Sequence, residues 1–325
     1  MKALPAAVAA RHWASLGEST FVLGIWVLYG VHRLAGRWPF RVLIVPVVAL
    51  HWALRPLLRR DSLEYLRHLQ SSQGVWPAAP GLWKSFLHVR LFADTMLDKL
   101  LAMAGRYPAR QVRTEGHEQL LAHLRTGQGA VLATAHMGCL ELCRALADQM
   151  PAFHLNILVH TRHAQAFNRI LQRLQAASSG RVVLIEVTDI DPAMAMLLAQ
   201  KVAAGECVAI AGDRVPVGSN RVLRLPFLGR EAAFPIGPYL LAGLLKCPLY
   251  FMGCLHEGKG YALRFECLAA HIELKRGARE EAMLPAARAF VEALTRCLRT
   301  SPYDWFNFFG FWEPSHFTAS RTGPV

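Results

Sequence analysis

The stretch best equipped for chemistry is His136-Met137-Gly138-Cys139-Leu140-Glu141. It follows the apolar run Ala130-Val131-Leu132-Ala133-Thr134-Ala135, which reads as a strand, and a helix is expected over 138–149. An imidazole at the carboxyl end of a strand sits where open α/β sheets place their ligands. Glu141, in the first turn of the expected helix, is expected to fold back onto one imidazole nitrogen. A carboxylate there fixes the tautomer and supports the charge that develops when the other nitrogen takes a proton. His136 is then a general base toward a hydroxyl or an amine. Gly138 is expected to permit close backbone approach, with N–H groups facing a developing oxyanion.

Those residues need a scaffold, and the apolar pattern supplies one. From residue 114 onward, helix-like and strand-like segments alternate. Helices are expected over 115–125, 138–149, 163–177, 191–203, 235–246 and 279–300, and strands over 129–135, 154–159, 182–187, 207–211, 222–226, 248–253 and 261–266. Such alternation predicts an α/β fold with a mostly parallel central sheet flanked by helices. The last two strands lie close enough in sequence to pair antiparallel. Leu82 to Met103 carries apolar residues at helical spacing, which predicts an amphipathic helix, and Asp61-Ser62-Leu63-Glu64 reads as a helix start.

Residues 1–60 differ in character. Phe21–Val31 and Val42–Leu54 are apolar runs, both short of the roughly 20 residues of a clean membrane span. Arg33, Arg37, Arg41, Arg55, Arg59 and Arg60 flank them, and Trp26, Tyr29, Trp38 and Trp52 are spaced like interfacial anchors. The expected division is a membrane-associating helical hairpin over 1–60 and a catalytic domain over 61–325. A pair of buried core helices is the competing reading of the same runs.

Composition points the same way. Of 325 residues, 53% are hydrophobic and 18% charged, and the formal net charge is +13. A basic, apolar chain suits an anionic membrane surface, and no nucleic-acid-binding module is legible. The seven cysteines, an odd number placed mostly in apolar runs, read as reduced small hydrophobes facing a cytosol.

The segment from His136 to Glu141 resembles the His-x-Gly-x-x-Glu motif of the lysophospholipid acyltransferase superfamily. Within it the chain is most similar to the bacterial lipid A biosynthesis acyltransferases, the lauroyl and myristoyl transferases. Further stretches agree in order: His160-Thr161-Arg162 with Asn168, Gly212-Asp213-Arg214 with Val215-Pro216, Leu225-Pro226-Phe227-Leu228-Gly229, and Pro235-Ile236-Gly237-Pro238. The resemblance implies a glycerol-phosphate acyltransferase-like fold behind a membrane anchor, at the cytoplasmic face of the bacterial inner membrane. It implies direct acyl transfer from a thioester, acyl-acyl carrier protein or acyl-CoA, to a hydroxyl of a lipid or glycolipid. In this reading His136 is the base and Glu141 orients it. Arg162 binds a phosphate with Asn168 in support, and Asp213 and Arg214 line the same cleft; an internal salt bridge or loop cap is the competing reading of these four. The ending departs from that family: Tyr303-Asp304-Trp305-Phe306-Asn307-Phe308-Phe309-Gly310-Phe311-Trp312 keeps a tryptophan but lacks a basic cluster. It looks closer to acyltransferases of aryl-polyene-type pathways. The aromatic run suits a headgroup layer, with core packing as the alternative.

Other constellations are weaker. Cys139, Cys143 and His136 lack the pairing of a zinc site, so no metal is expected. There is no Gly-x-Ser-x-Gly elbow, Walker A run or dinucleotide fingerprint, so no cofactor is expected beyond the acyl donor. Lys275, Arg276 and Arg279 read as a solvated face, with docking of an acidic carrier protein as the competing reading. N-acylation of an amino-acid headgroup and non-catalytic lipid binding are the alternatives to O-acylation.

Overall fold

The computed structural model describes residues 29–143, 153–159, 181–186, 192–216 and 219–312. Among the described residues, helical residues 29–35 are followed by α1 (Arg37–Leu54), α2 (Pro56–Gln73) and α3 (Leu82–Met103). Apart from 3-10 turns at Ala109–Gln111 and Leu140–Leu142, the described elements continue with β1 (Val112–Glu115), α4 (His117–Leu124), β2 (Val131–Thr134), β3 (Leu155–Val159), β4 (Val182–Glu186) and α5 (Pro192–Ala203). Then follow β5 (Cys207–Ala211), β6 (Val222–Phe227), β7 (Arg230–Pro235), α6 (Gly237–Leu245), β8 (Leu249–Glu257), β9 (Gly260–Ala269) and α7 (Arg279–Thr300).

Among the described residues seven strands form one sheet in the order β1-β9-β8-β2-β5-β3-β4, and β6 and β7 form a separate antiparallel ribbon. The five strands β8, β2, β5, β3 and β4 are mutually parallel, while β9 pairs antiparallel with β8 as expected, and β1 runs parallel to β9. The fold class expected from alternation is therefore the one observed. The central strands are buried on both faces. Val131, Ala133, Val208 and Phe251 point into a core shared with α2, α5, α6, α7 and the ribbon. Leu132, Ala209, Met252 and Cys254 point into a second core with α1, α3 and α4. This accounts for their continuous apolar composition, since a parallel strand covered by helices on both sides has no wet face.

Local departures have local causes. Helix α2 starts at Pro56, a residue suited to the first turn because it lacks the N–H that would go unpaired there. Asp61-Ser62 is thus mid-helix and not a helix start. Asp61 pairs with Arg60, and Ser62 bonds the buried His88. Pro46 sits inside α1 without ending it. In α1, Phe40, Ile44 and Val48 are buried, while Trp38, Val42, Leu43, Val47, Leu50 and Leu54 are exposed. Of the three described aromatics read as interfacial anchors, only Trp38 faces outward in this way. Tyr29 is buried, and Trp52 turns inward to donate to Ser85 Oγ at 3.1 Å, with its ring edge-on to Phe86. Trp26 lies outside the described residues. Strands β1 and β7 were not expected from the sequence. Of the helix expected over 138–149, a 3-10 turn at Leu140–Leu142 leads into helical Cys143, and residues 144–149 lie outside the described residues.

Candidate active site

Strands β2 and β5 are adjacent and parallel, with Thr134 opposite Ala211. Two residues further along each chain stand His136 and Asp213, so the register itself sets them side by side. The ladder continues past the strands through Gly212 N–H to Thr134 C=O at 2.8 Å. Asp213, fully buried, then receives three donors. Oδ1 accepts from His136 Nδ1 at 2.8 Å. Oδ2 accepts from the backbone N–H of His136 at 2.9 Å and from the indole Nε1–H of Trp305 at 2.9 Å.

Burial by itself would raise the carboxyl of Asp213, but the facing His136, its two hydrogen bonds and the neighbouring Arg214 outweigh it and hold the group at about 2. The carboxylate is therefore ionised at neutral pH, and His136 Nδ1 must carry the proton it donates. The lone pair of the neutral ring lies on Nε2, on a side chain that is 42% accessible. Desolvation lowers the pKa of His136, and Arg214 and Lys99 lower it further, against the opposing pull of Asp213. A neutral imidazole with a fixed tautomer and an open nitrogen is a base ready to accept a proton.

The structure does not bring Glu141 to the imidazole, as was expected of it. Glu141 Oε1 accepts from Lys99 Nζ of α3 at 3.0 Å, and Glu141 Oε2 lies 3.7 Å from the Cys139 thiol. The 3-10 turn directs this carboxylate toward α3. The imidazole, held by the strand register, meets the carboxylate of β5 instead. Desolvation opposes the charge on Lys99, but Glu141 more than restores it and raises the amine. Lys99 went unnoticed in the sequence. Its signal is a charged pair, Asp98-Lys99, set between the apolar residues Met96-Leu97 and Leu100-Leu101.

Gly138 has φ +52°, and a Cβ there would lie 2.2 Å from the carbonyl oxygen of Cys254 on β8. Close backbone approach is thus the reason for glycine, as expected. Its N–H, however, donates to the carbonyl of Asp304 at 2.9 Å, so it does not face an oxyanion.

That bond belongs to a brace. Residues 304–306 lie antiparallel to the His136 loop: Phe306 N–H donates to His136 C=O at 3.1 Å, and Met137 bridges Trp305. Arg214 donates to Phe306 C=O at 2.9 Å and sits over the ring of Phe309. Asp304, fully buried, takes both the backbone N–H and the Nδ1 of His256 at the end of β8, at 2.6 and 2.5 Å. The aromatic ending is therefore core and not a headgroup belt: Trp305, Phe306 and Trp312 are buried, with Phe227 edge-on to Trp305 and stacked on Trp312. One acid in a run of aromatics was the available clue to the brace. Arg162 and Asn168 lie outside the described residues.

The family described as bacterial lipid A biosynthesis acyltransferases matches residues 24–313, most of the chain. Among curated individual proteins no match is found.

Proposed function

Because the chain belongs to the bacterial lipid A biosynthesis acyltransferase family and is therefore an acyltransferase, we propose that it moves a fatty acyl group from an acyl thioester to a hydroxyl of a lipid or glycolipid. The donor in this reading is an acyl-acyl carrier protein, with acyl-CoA as its simpler equivalent. His136 is the general base, and Asp213 takes the orienting role expected of Glu141. The observation that carries the proposal is the 2.8 Å bond from His136 Nδ1 to an ionised, buried Asp213, which leaves Nε2 open.

The acceptor O–H gives its proton to His136 Nε2 as its oxygen bonds to the thioester carbonyl carbon. Asp213 stabilises the imidazolium so formed. When the tetrahedral adduct collapses, the C–S bond breaks and the thiolate takes the proton back from Nε2. The ester, the free thiol and the neutral base result, and no acyl-enzyme is required. Arg214 and Lys99, the cations that act on His136, keep the resting ring neutral and favour the negative charge of the adduct. Arg162 and Asn168 stay in this reading as phosphate-pocket residues.

Helix α1 supports a place at a membrane. It is long and apolar enough by length and composition to cross one, and its outer row of Val42, Leu43, Val47, Leu50 and Leu54 is exposed. In this reading residues 1–60 anchor the protein at the cytoplasmic face of the inner membrane, within reach of a lipid acceptor and a soluble carrier protein. The test is incubation of purified protein with labelled acyl-carrier protein and a total lipid extract, followed by lipid analysis. Wild type should label one lipid class, with the label released by mild alkali as an ester. His136→Ala should abolish labelling while the protein stays folded. Near-normal labelling by that variant would overturn the assignment.

A further inference from the structure

Trp305 is tethered on several sides next to His136 and Asp213, and the direct chemistry of acyl transfer leaves it without a role. Its indole is 1% exposed and donates to Asp213 Oδ2 at 2.9 Å. Its carbonyl accepts from His88 Nε2 at 2.9 Å. A carbonyl can only accept, so Nε2 carries the proton of this ring. Burial pushes His88 down to about 4, so the ring is neutral, and its Nδ1 accepts from Ser62 at 3.0 Å. Tyr65, Phe227 and Phe311 meet the indole edge-on, at ring-centroid distances of 5.0, 5.4 and 4.9 Å. Tyr65 also donates to Pro302 C=O at 2.8 Å. On either side, Asp304 holds Gly138 and His256, and Phe306 holds His136 and Arg214.

A core tryptophan needs one partner for its N–H, and any carbonyl would serve. Here the partner is the carboxylate that faces the base. Oδ2 already accepts the backbone N–H of His136, so the indole completes a set of donors that leaves Asp213 one orientation, with Oδ1 toward the imidazole. We propose that Trp305 is a positioning residue of the acyl-transfer reaction: its indole N–H fixes the rotamer of Asp213 and draws off part of that carboxylate's charge, and so sets both the aim and the basicity of His136. This rests on the reading of His136 as the general base.

Two consequences follow from removing the N–H. The carboxylate is free to rotate, so fewer molecules hold the imidazole in line. Asp213 also concentrates its charge on the remaining donors, which favours the imidazolium. The charged groups acting on His136 are Asp213, Arg214 and Lys99, and all three remain. Trp305→Phe keeps a ring in the pocket without the donor. Replacement of the indole by its benzothiophene isostere, through 3-benzothienylalanine at position 305, keeps the full bicycle and loses only the N–H. Both variants should lower kcat about tenfold, the weight of one hydrogen bond to a charged group, with KM for the acyl donor unchanged. The acid limb of kcat/KM should move to higher pH by about half a unit.

Phe227→Leu is the control, since it removes a ring from the indole's edge but leaves the N–H bond. It should lower the melting temperature and leave the acid limb in place. An acid limb unmoved in the isostere variant overturns the proposal. So does failure of both position-305 variants to fold, because the N–H would then serve folding and not the base. His136→Ala is run in parallel. If it retains turnover, the reading of the base fails; if it is dead while the isostere variant keeps the wild-type limb, only the role of Trp305 fails.

Discussion

Asp213→Asn separates the two candidate partners of His136. The side chain keeps its shape but loses its charge and one of its two acceptor oxygens. Two of the three donors, His136 N–H and Trp305 Nε1–H, meet at Oδ2, and the third, His136 Nδ1, meets Oδ1. The amide oxygen is best placed where it satisfies two donors, so the amide NH2 turns toward the imidazole. Nδ1 must then accept, the ring proton moves to Nε2, and the nitrogen meant to take the acceptor's proton already holds one. A wrong tautomer of this kind in a histidine–aspartate pair costs about 10⁴ in kcat, or about 5.5 kcal/mol in the barrier. Steady-state transfer from labelled acyl-carrier protein should show a fall of roughly 10³ to 10⁴, with binding of the acyl donor little changed. Glu141→Gln, which meets Lys99 and not the imidazole, should instead cost stability, about 2 kcal/mol for a bond between charged groups, with a smaller loss of rate. Turnover of Asp213→Asn within about tenfold of wild type would refute the assignment of the orienting role. So would a loss in Glu141→Gln as deep as the one expected for Asp213→Asn.

Other perturbations test the scaffold and the reading together. The pKa of His136 is lowered in the fold, so the acid limb of kcat/KM should lie below the ordinary imidazole value of about 6.5; a limb above it would contradict the electrostatics of the site. His88 is buried neutral and pushed down to about 4, so the unfolded chain binds the extra proton first. Its contribution is intact above about 6.5 and is lost as pH falls toward 4, roughly 3 kcal/mol in all. Denaturant titrations across that window should show the slope, and His88→Gln should flatten it. Gly138→Ala puts a methyl 2.2 Å from the Cys254 carbonyl at a positive φ, so the His136 loop must shift. Activity should vanish, with a stability loss of more than about 3 kcal/mol by thermal melting. Charge on the outer row of α1, as in Val47→Glu with Leu50→Glu, should release the protein from anionic vesicles in a flotation assay without changing its melting temperature, since both residues are exposed.

The parts of this protein that were legible from composition and spacing are those decided locally. Strand β5 at Cys207–Ala211 and the long helices α3 and α7 coincide with their expected spans, because unbroken apolar runs and helical spacing report burial directly. His136 at a strand end and Gly138 at a crowded turn were equally readable, since each depends on its own segment. Strands β1 and β7 were missed because Val112–Glu115 and Arg230–Pro235 are short and mostly polar or small, and gain their order from β9 and β6. The partner of the imidazole lies between these cases. Sequence offered a carboxylate five residues away in Glu141 and another 77 residues away in Asp213, and nearness in the chain favoured the first. The parallel register of β2 and β5, fixed only when both strands bury their two faces, sets Asp213 level with His136, while the 3-10 turn points Glu141 at Lys99. The brace around Trp305 is likewise a tertiary result. Its aromatics read alike as membrane belt or core, and only the packing of residues 304–306 against the His136 loop brings the indole N–H to Asp213.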